Sequence, residues 1–396
     1  MMKIALCHEA VLPSRGGCET YVAHLARRLV RDGHEVHLYA RQIDRAALPS
    51  GIHHHPVRLP PHPRFLRPWF FSSACRRLLK RGGHDVSVGF DKVAGVDVLY
   101  PQAGVYAASV GFNLHKHGSP AVRRLLRLAK WFDPAHLSFL ELERRGCMDP
   151  RTTLVAISDM VRHHLLHHYP TASGRVKVLH VATPPERFDE TDRPRRRAAA
   201  RREWGLGDAD VVALFAGMNY RLKGLVPLLQ ALPLVPGDRL RLLVAGKSDV
   251  LAYERLAERL RVADRVRFLG YRADMADAYF AADLLVHPTF YDPCSNVVLE
   301  ALACGLPVIT TRYNGASELL SGERETCAEG YVIADPHDVE RLAWALTQLL
   351  DPERRAVCSA AARRNAAAWT FERHYRRLLG ILAEAALTAR ARKAAA

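Results

Sequence analysis

The sequence predicts an α/β protein made of two doubly wound parallel-sheet domains. Three observations carry that prediction. The chain has 396 residues, too many for one ordinary core and suited to two domains of ~100–200 residues each. Strand-like apolar runs alternate with helical patterns, as parallel β/α units require. The alternation breaks once, at "ATPPERFDETDRPRRR" (182–197), where proline and charge replace apolar residues, and then it restarts. The expected organisation is a first domain over 1–182, a linker over 183–197 and a second domain over 198–370.

Taken in order, the first domain's strands are expected at Lys3–His8, Glu35–Ala40, Asp85–Phe90, Val96–Tyr100, Thr153–Ser158 and Val176–Val181. Helical patterns lie between them at Glu19–Arg31, Ser72–Arg81, a long Pro120–Arg145 segment and Asp159–Tyr169. The histidine run at His53–Pro56 reads as a loop. In the second domain strands are expected at Val211–Gly217, Arg241–Gly246, Val266–Gly270, Leu284–Pro288, Pro307–Thr311 and Tyr331–Ala334. Their helices are Gly224–Leu232, Ala252–Leu260, Met275–Ala281, Asn296–Cys304 and Val339–Leu350. Ligands of such sheets bind at the carboxyl ends of the strands, which predicts a cleft between the two domains.

Composition bounds the function. Hydrophobic residues make up 49% of the chain, enough for large cores, and no apolar run approaches the ~18–20 residues of a spanning helix. The opening "MMKIALCHEA" runs straight into a strand, without a signal-peptide pattern. The eight cysteines are scattered, without a CxxC pair, so reduced thiols in the cytoplasm are expected. Net charge is +16, and it is uneven: through Pro185 there are 26 Lys and Arg against 13 Asp and Glu, leaving 31 against 28 beyond, and 17 of the 20 histidines lie in the first part. A basic half suggests a polyanionic partner: anionic lipid, phosphorylated glycan or nucleic acid. No RNA-binding motif accompanies it, which argues against nucleic acid.

The stretch "YDPCSNVVLEALACGLPVIT" (291–310) turns from a polar loop into an apolar helix. Ser295 reads as the N-cap of a helix starting at Asn296, whose first N–H groups can donate to hydroxyls or to an anion. Glu300, just over one turn in, can accept two hydrogen bonds from a vicinal diol such as a ribose, while Asp292 reaches another part of the same ligand. The two acids alone also fit a solvated loop Asp and an ordinary helix carboxylate.

This stretch resembles the acidic-x7-Glu signature of retaining glycosyltransferase family four, with Asp292 where the family usually has Glu and Glu300 as the second acid. The resemblance implies the GT-B fold, two facing Rossmann-like domains. It also implies that Asp292 touches the donor sugar and Glu300 the nucleotide ribose. "FAGMNYRLKGLVPLLQAL" (215–232) is similar to the strand–loop–helix opening the family's donor domain. Lys223 and Gly224 occupy its Lys-Gly place, Met218 stands where an Arg is common, and Arg221 is the candidate replacement. A cation pair there would stabilise a departing nucleoside diphosphate. Gly16 and Gly17, between a first strand and its helix, match the family's phosphate-approaching turn, and the backbone around Tyr271 its base-contacting segment. "VSVGFDKVAGVDVLYPQAGVY" (86–106) is similar to a segment of the lipopolysaccharide core glucosyltransferase I branch, which makes Asp91, Lys92, Gln102 and Tyr106 the acceptor-side candidates. Relatives also imply that the last helix, about 371–389, crosses back onto the first domain.

The resemblance therefore implies a retaining hexosyltransferase. Its donor is expected to be a nucleotide sugar, UDP-glucose first, and its acceptor a lipopolysaccharide core or other lipid-linked cell-envelope glycan. No metal or other cofactor is expected, since basic residues and helix N-termini neutralise the diphosphate. The expected location is cytoplasmic, peripheral on the inner face of the cytoplasmic membrane. Two Arg–aromatic clusters, Arg64–Phe71 and Arg123–Phe132, are candidates for an anionic membrane surface; a core-packed helix face fits the second equally well. The i, i+4 histidines of "VRHHLLHHY" (161–169) could hold a metal but have no obvious third ligand. The alternatives are a GT-B nucleotide-sugar 2-epimerase and a non-catalytic anionic-membrane or nucleic-acid binder.

Overall fold

A computed structural model of the chain describes residues 1–182, 188, 190–272, 274–321 and 326–394. It forms two compact units, Met1–His180 with Glu372–Ala396, and Val181–Phe371.

In the first unit the strands are β1 (Lys3–Cys7), β2 (Ala10–Val11), β3 (Glu35–Ala40), β4 (Gln42–Ile43), β5 (Ile52–Pro56), β6 (Val86–Gly89), β7 (Val98–Leu99), β8 (Thr153–Ala156) and β9 (Val176–Val178). The main sheet has the order β5-β3-β1-β6-β7-β8-β9 and is parallel throughout; β2 and β4 form a separate pair. Its helices are α1 (Gly17–Arg31), α2 (Arg67–Gly82), α3 (Tyr106–His115), α4 (Pro120–Trp131), α5 (Pro134–Met148) and α6 (Asp159–His168). The central strands β1 and β6 are buried almost throughout because helices cover both faces of a parallel sheet.

Two expectations for this unit are corrected. His53–Pro56 is not a loop: Ile52–Pro56 is an edge strand in register with β3, pairing His37 with His53 and Tyr39 with His55. Its imidazoles stack on its neighbours, His53 and His55 at 4.8 and 5.0 Å from His37, and His55 at 4.6 Å from Tyr39. The Pro120–Arg145 segment is two helices. Asp133 ends the continuity by accepting from Ala135 N at 3.0 Å and His136 N at 3.3 Å, with Pro134 in the first helical position.

The second unit holds β10 (Val211–Ala216), β11 (Leu240–Ala245), β12 (Val266–Gly270), β13 (Leu284–His287), β14 (Val308–Thr311), β15 (Thr326–Cys327) and β16 (Gly330–Ile333). The order is β12-β11-β10-β13-β14-β16-β15, parallel except for β15. Its helices are α7 (Arg193–Glu203), α8 (Leu225–Ala231), α9 (Leu251–Arg259), α10 (Ala276–Ala281), α11 (Asn296–Ala303), α12 (Val339–Gln348) and α13 (Pro352–Ala366). Of the expected linker, 183–187 and 189 lie outside the described residues, and 193–197 are helix instead. The arginines that made this stretch look unstructured are tied down: Arg197 donates to the Phe280, Ala281 and Ala282 carbonyls and to Asp283, and Arg196 pairs with Asp274 and Asp277.

The last helix, α14 (Phe371–Ala394), belongs from Glu372 onward to the first unit. His374 fastens it: Nδ1 donates to His180 O and Nε2 accepts from Tyr21 OH, both at 2.7 Å. Burial pushes this imidazole down to about 4, so it is neutral. Among the described residues no helix is long and apolar enough to cross a membrane.

Candidate active site

In the second unit, the turn after β10 (217–224) and the loop after β13 (288–295) are stitched together. Phe290 N donates to Leu222 O at 2.9 Å and Thr289 Oγ1 to the same carbonyl at 3.1 Å. Gly224 makes this approach possible. Its φ is +85°, and a Cβ there would fall 2.0 Å from the Pro288 carbonyl oxygen, which no L side chain tolerates.

The stitching places Lys223 against Asp292, with Nζ 2.6 Å from Oδ2 and 3.3 Å from Tyr291 O. An ammonium has three donors, so a third remains for an acceptor brought by a ligand. His287, 1% exposed at the end of β13, donates from Nε2 to the same Oδ2 at 3.3 Å. Burial alone would raise the Asp292 carboxyl. The Lys223 ammonium and the His287 hydrogen bond overcome it and hold the carboxyl well below the usual carboxylate range. Burial pushes His287 the other way, below its ordinary value, despite Asp292. Asp292 is therefore an ionised acceptor at any physiological pH, suited to a hydroxyl and not to general-acid work.

The loop's far end is set by Asn314, itself fully buried. Its Oδ1 accepts from Ser295 N at 3.2 Å and Ala316 N at 3.1 Å, and its Nδ2 donates to Thr310 Oγ1 at 3.0 Å. The Asp292 backbone pairs with the same segment, donating to Tyr313 O and accepting from Gly315 N. Ser295 does occupy the N-cap position of α11, but its hydroxyl makes no capping bond, contrary to expectation. Glu300 is 4% exposed, and its Oε2 accepts from Tyr279 OH at 2.6 Å. Four lone-pair sites on a carboxylate leave room for further donors. Arg221 stands exposed on the turn two residues before Lys223, and Tyr271 is exposed just after β12.

In the first unit Gly16 is the N-cap residue of α1 and Gly17 its first residue. Asp91 and Lys92 follow β6, and Lys92 Nζ lies 3.2 Å from Asp91 Oδ1. The Asp91 carboxylate raises the Lys92 ammonium above its ordinary value. The ammonium sits over the rings of Tyr106 and Phe139, at 5.6 and 5.3 Å. Asp91, Lys92, Tyr106 and Glu143 line one pocket. Gln102 does not line it. Its Nε2 is buried, with no hydrogen-bond partner among the described residues.

The family model for Glycosyltransferase Family 4 matches residues 15–187, and the model for Glycosyl transferases group 1 matches residues 210–352. Together they span most of both units. The chain belongs to this glycosyltransferase family. It is 28% identical to the lipopolysaccharide glucosyltransferase WaaG of Escherichia coli K12 over 354 residues, 88% of this chain and 90% of that protein. It is 29% identical to the D-inositol 3-phosphate glycosyltransferase of Thermobispora bispora over 401 residues, 93% of this chain and 90% of the relative. The crystal structure of WaaG superposes with a TM-score of 0.79 at 25% identity, covering 96% of this chain and 99% of that one. Anabaena HepE in complex with UDP-glucose shares the fold, with a TM-score of 0.72 at 17% identity over 97% and 100% of the two chains. The two parallel-sheet units are those of the GT-B fold.

Several side chains of this candidate site carried no readable signal in the sequence. His287 ends a strand as any buried residue would, Asn314 lies beyond the next strand, and Tyr279 sits in an apolar helix. Glu143, on α5, gave none either. Its carboxylate accepts from Tyr106 N at 2.5 Å, Ala107 N at 3.0 Å and Tyr169 OH at 2.8 Å, holding the start of α3 beside the pocket. The α6 histidines show no metal set among the described residues: His163 Nδ1 donates to Asp159 O at 2.8 Å.

Proposed function

We propose that this protein is a retaining hexosyltransferase that moves glucose from UDP-glucose to a lipopolysaccharide core or other lipid-linked envelope glycan. The observation that carries the proposal is the buried Lys223–Asp292–His287 cluster at the carboxyl ends of β10 and β13. Lys223 neutralises the diphosphate as it departs, where a fixed charge has its largest effect. The start of α11 adds N–H donors. Asp292, kept ionised, orients a sugar hydroxyl, and Glu300 takes the ribose. The departing phosphate accepts the proton of the acceptor hydroxyl on the same face from which it left, so retention needs no dedicated base. Protein cations do the neutralising, so the proposal calls for no metal and no further cofactor. The names of the relatives support the substrate classes: one is a lipopolysaccharide glucosyltransferase, and a fold neighbour is a UDP-glucose complex.

Helix α4 supports a membrane-borne acceptor. It has no buried residue. Leu125, Leu128, Trp131 and Phe132 are 67%, 62%, 70% and 86% exposed, interleaved with Arg123, Arg124, Arg127 and Lys130. An apolar stripe in water with cations beside it suits an anionic interface on the inner face of the cytoplasmic membrane. The Arg64–Phe71 cluster does not share this role. Phe71 is buried, Trp69 Nε1 donates to Ser138 O at 3.0 Å, and Arg145 packs on the Trp69 ring.

The test is a donor panel assayed for slow hydrolysis, repeated with isolated glycolipids and with inositol phosphate. Glycolipid-dependent consumption of UDP-glucose, with the product's anomeric configuration retained, supports the proposal. Donor turnover independent of any acceptor, yielding an epimerised sugar, would replace it with an epimerase.

A further inference from the structure

The histidine run of the edge strand has a chemistry that glycosyl transfer does not use. Glu35 and His37 are two apart on β3 and so project from the same face of the sheet. His53 lies directly opposite His37 on β5. One ligand atom from each of Glu35, His37 and His53 lies within 4.8 Å of the other two. His37 Nε2 already lies 2.7 Å from Glu35 Oε1, and its other nitrogen, Nδ1, lies 2.7 Å from His55 Nε2.

That last contact is what a metal-binding imidazole requires. A ligating histidine nearly always donates its remaining N–H to an outer partner, which fixes ring and tautomer. His55 offers such an acceptor to Nδ1, leaving Nε2 for an ion. The His37 ring is further held by His84, 4.7 Å away and edge-on, which is itself fixed by a 2.7 Å contact with Tyr39 OH. His37 is buried while Glu35 and His53 are exposed, so the cluster opens to solvent.

We propose that Glu35, His37 and His53 form a site for a divalent transition ion, zinc first, with His55 as the outer partner of His37. The N₂O donor set suits zinc, with water completing the tetrahedron. The ion would take the place of the proton between His37 Nε2 and Glu35 Oε1. Bonds of ~2.0–2.2 Å at tetrahedral angles hold ligand atoms ~3.3–3.5 Å apart, so the 2.7 Å His37–Glu35 pair opens slightly and His53 moves in, both within reach of side-chain rotation. Lys3 Nζ, 3.3 Å from Glu35 Oε1, is the competing cation. The site lies toward the amino ends of the strands, whereas Asp91 and Lys92 follow the carboxyl end of β6 in the same sheet. Its role is therefore to clamp edge strand β5, not to take part in transfer.

The experiment uses the untagged full-length chain, with Zn²⁺ alone titrated in competition with a chromophoric chelator. Co²⁺ absorption reports coordination geometry. One equivalent of tight binding is expected, with a tetrahedral Co²⁺ spectrum. His53→Ala and Glu35→Gln change exposed residues and spare the core. Each should weaken binding by more than the ~10–100-fold typical of losing an outer partner. Lys3→Met should bind tighter, and a looser Lys3→Met chain counts against Glu35 as a ligand. The His163→Ala/His167→Ala chain should bind as the parent does. No binding tighter than millimolar, unchanged binding in His53→Ala and Glu35→Gln, or loss confined to the α6 variant would each overturn the site. Donor hydrolysis should be unaffected in His53→Ala, so failure here is separable from failure of the transferase reading.

Discussion

The loop after β13 and helix α4 are opposite departures from the ordinary rule of burial. The loop holds an ion pair where water is scarce: Asp292 Oδ2 lies 2.6 Å from Lys223 Nζ and 3.3 Å from His287 Nε2, with the Asp292, Lys223 and His287 side chains 13%, 18% and 1% exposed. Helix α4 puts leucine, tryptophan and phenylalanine where water is plentiful. Scattered exposed apolar groups are common, but a buried ion cluster or a contiguous apolar stripe in water has a cost that folding alone does not offset. The difference teaches where each task is built. Charge chemistry needs a dry, fixed frame, and here a glycine-dependent turn and Asn314 supply it. The proposed membrane attachment would need an exposed apolar face, and α4 has one.

The comparison breaks most severely at Lys223. Lys223→Ala removes the charge proposed to face a departing diphosphate and leaves Asp292 buried without its main partner. Turnover should fall ~100–1,000-fold while the fold persists, measured by donor consumption alongside circular dichroism. Normal turnover would remove Lys223 from the site.

His374 tests the buried half of the rule in the other unit, away from any donor chemistry. Its folded value is pushed down to about 4 by burial, against an ordinary imidazole value of about 6.5. The stability it contributes is complete above about 6.5 and is lost as pH falls toward 4, because the unfolded chain takes the proton first. His374→Gln keeps a donor for His180 O and an acceptor for Tyr21 OH but cannot titrate. The parent should lose on the order of 3 kcal/mol more than this variant between pH 7 and pH 4, read from denaturant midpoints. Parallel pH profiles would show that His374 does not couple folding to protons.

At α4 the effect should be smaller. Leu125→Ser, Leu128→Ser and Trp131→Ser together should weaken co-sedimentation with anionic vesicles by on the order of 10-fold or more, since each side chain buries only part of its area in an interface. The remaining electrostatic binding should fade as salt shortens the screening length from ~10 Å at 0.1 M to ~3 Å at 1 M. Equal binding of parent and variant at every salt would mean that α4 does not touch the membrane.

Much of this was legible in the sequence for local reasons. The strand–turn–helix around Lys223 and the loop-to-helix change between Asp292 and Glu300 depend on neighbours in the chain, and the structure has those elements at those residues. His287, Asn314 and Tyr279 were not legible, because His287 and Asn314 reach the loop from the end of its own strand and from beyond the adjacent one, and Tyr279 reaches Glu300 from another helix. Strand β5 was missed because three consecutive histidines interrupt the apolar pattern, while its ladder is dictated by β3. Helix α4 was visible as amphipathic, but the pattern is the same whether the apolar face meets a core or water. Arginine hid the first turns of α7, since carbonyls and carboxylates 80 or so residues away tie it down.

The central claim is that the buried carboxylate beside Lys223 reads the sugar and that Glu300 reads the nucleoside. Calorimetric titration of the parent, Asp292→Asn and Glu300→Gln with UDP and with UDP-glucose tests it most directly. The expected result is near-parental UDP binding with ~10-fold weaker UDP-glucose binding in Asp292→Asn, and comparable loss for both ligands in Glu300→Gln, as expected when a charged hydrogen-bond partner is removed. Equal loss of UDP binding in both variants would contradict the assignment of the two carboxylates.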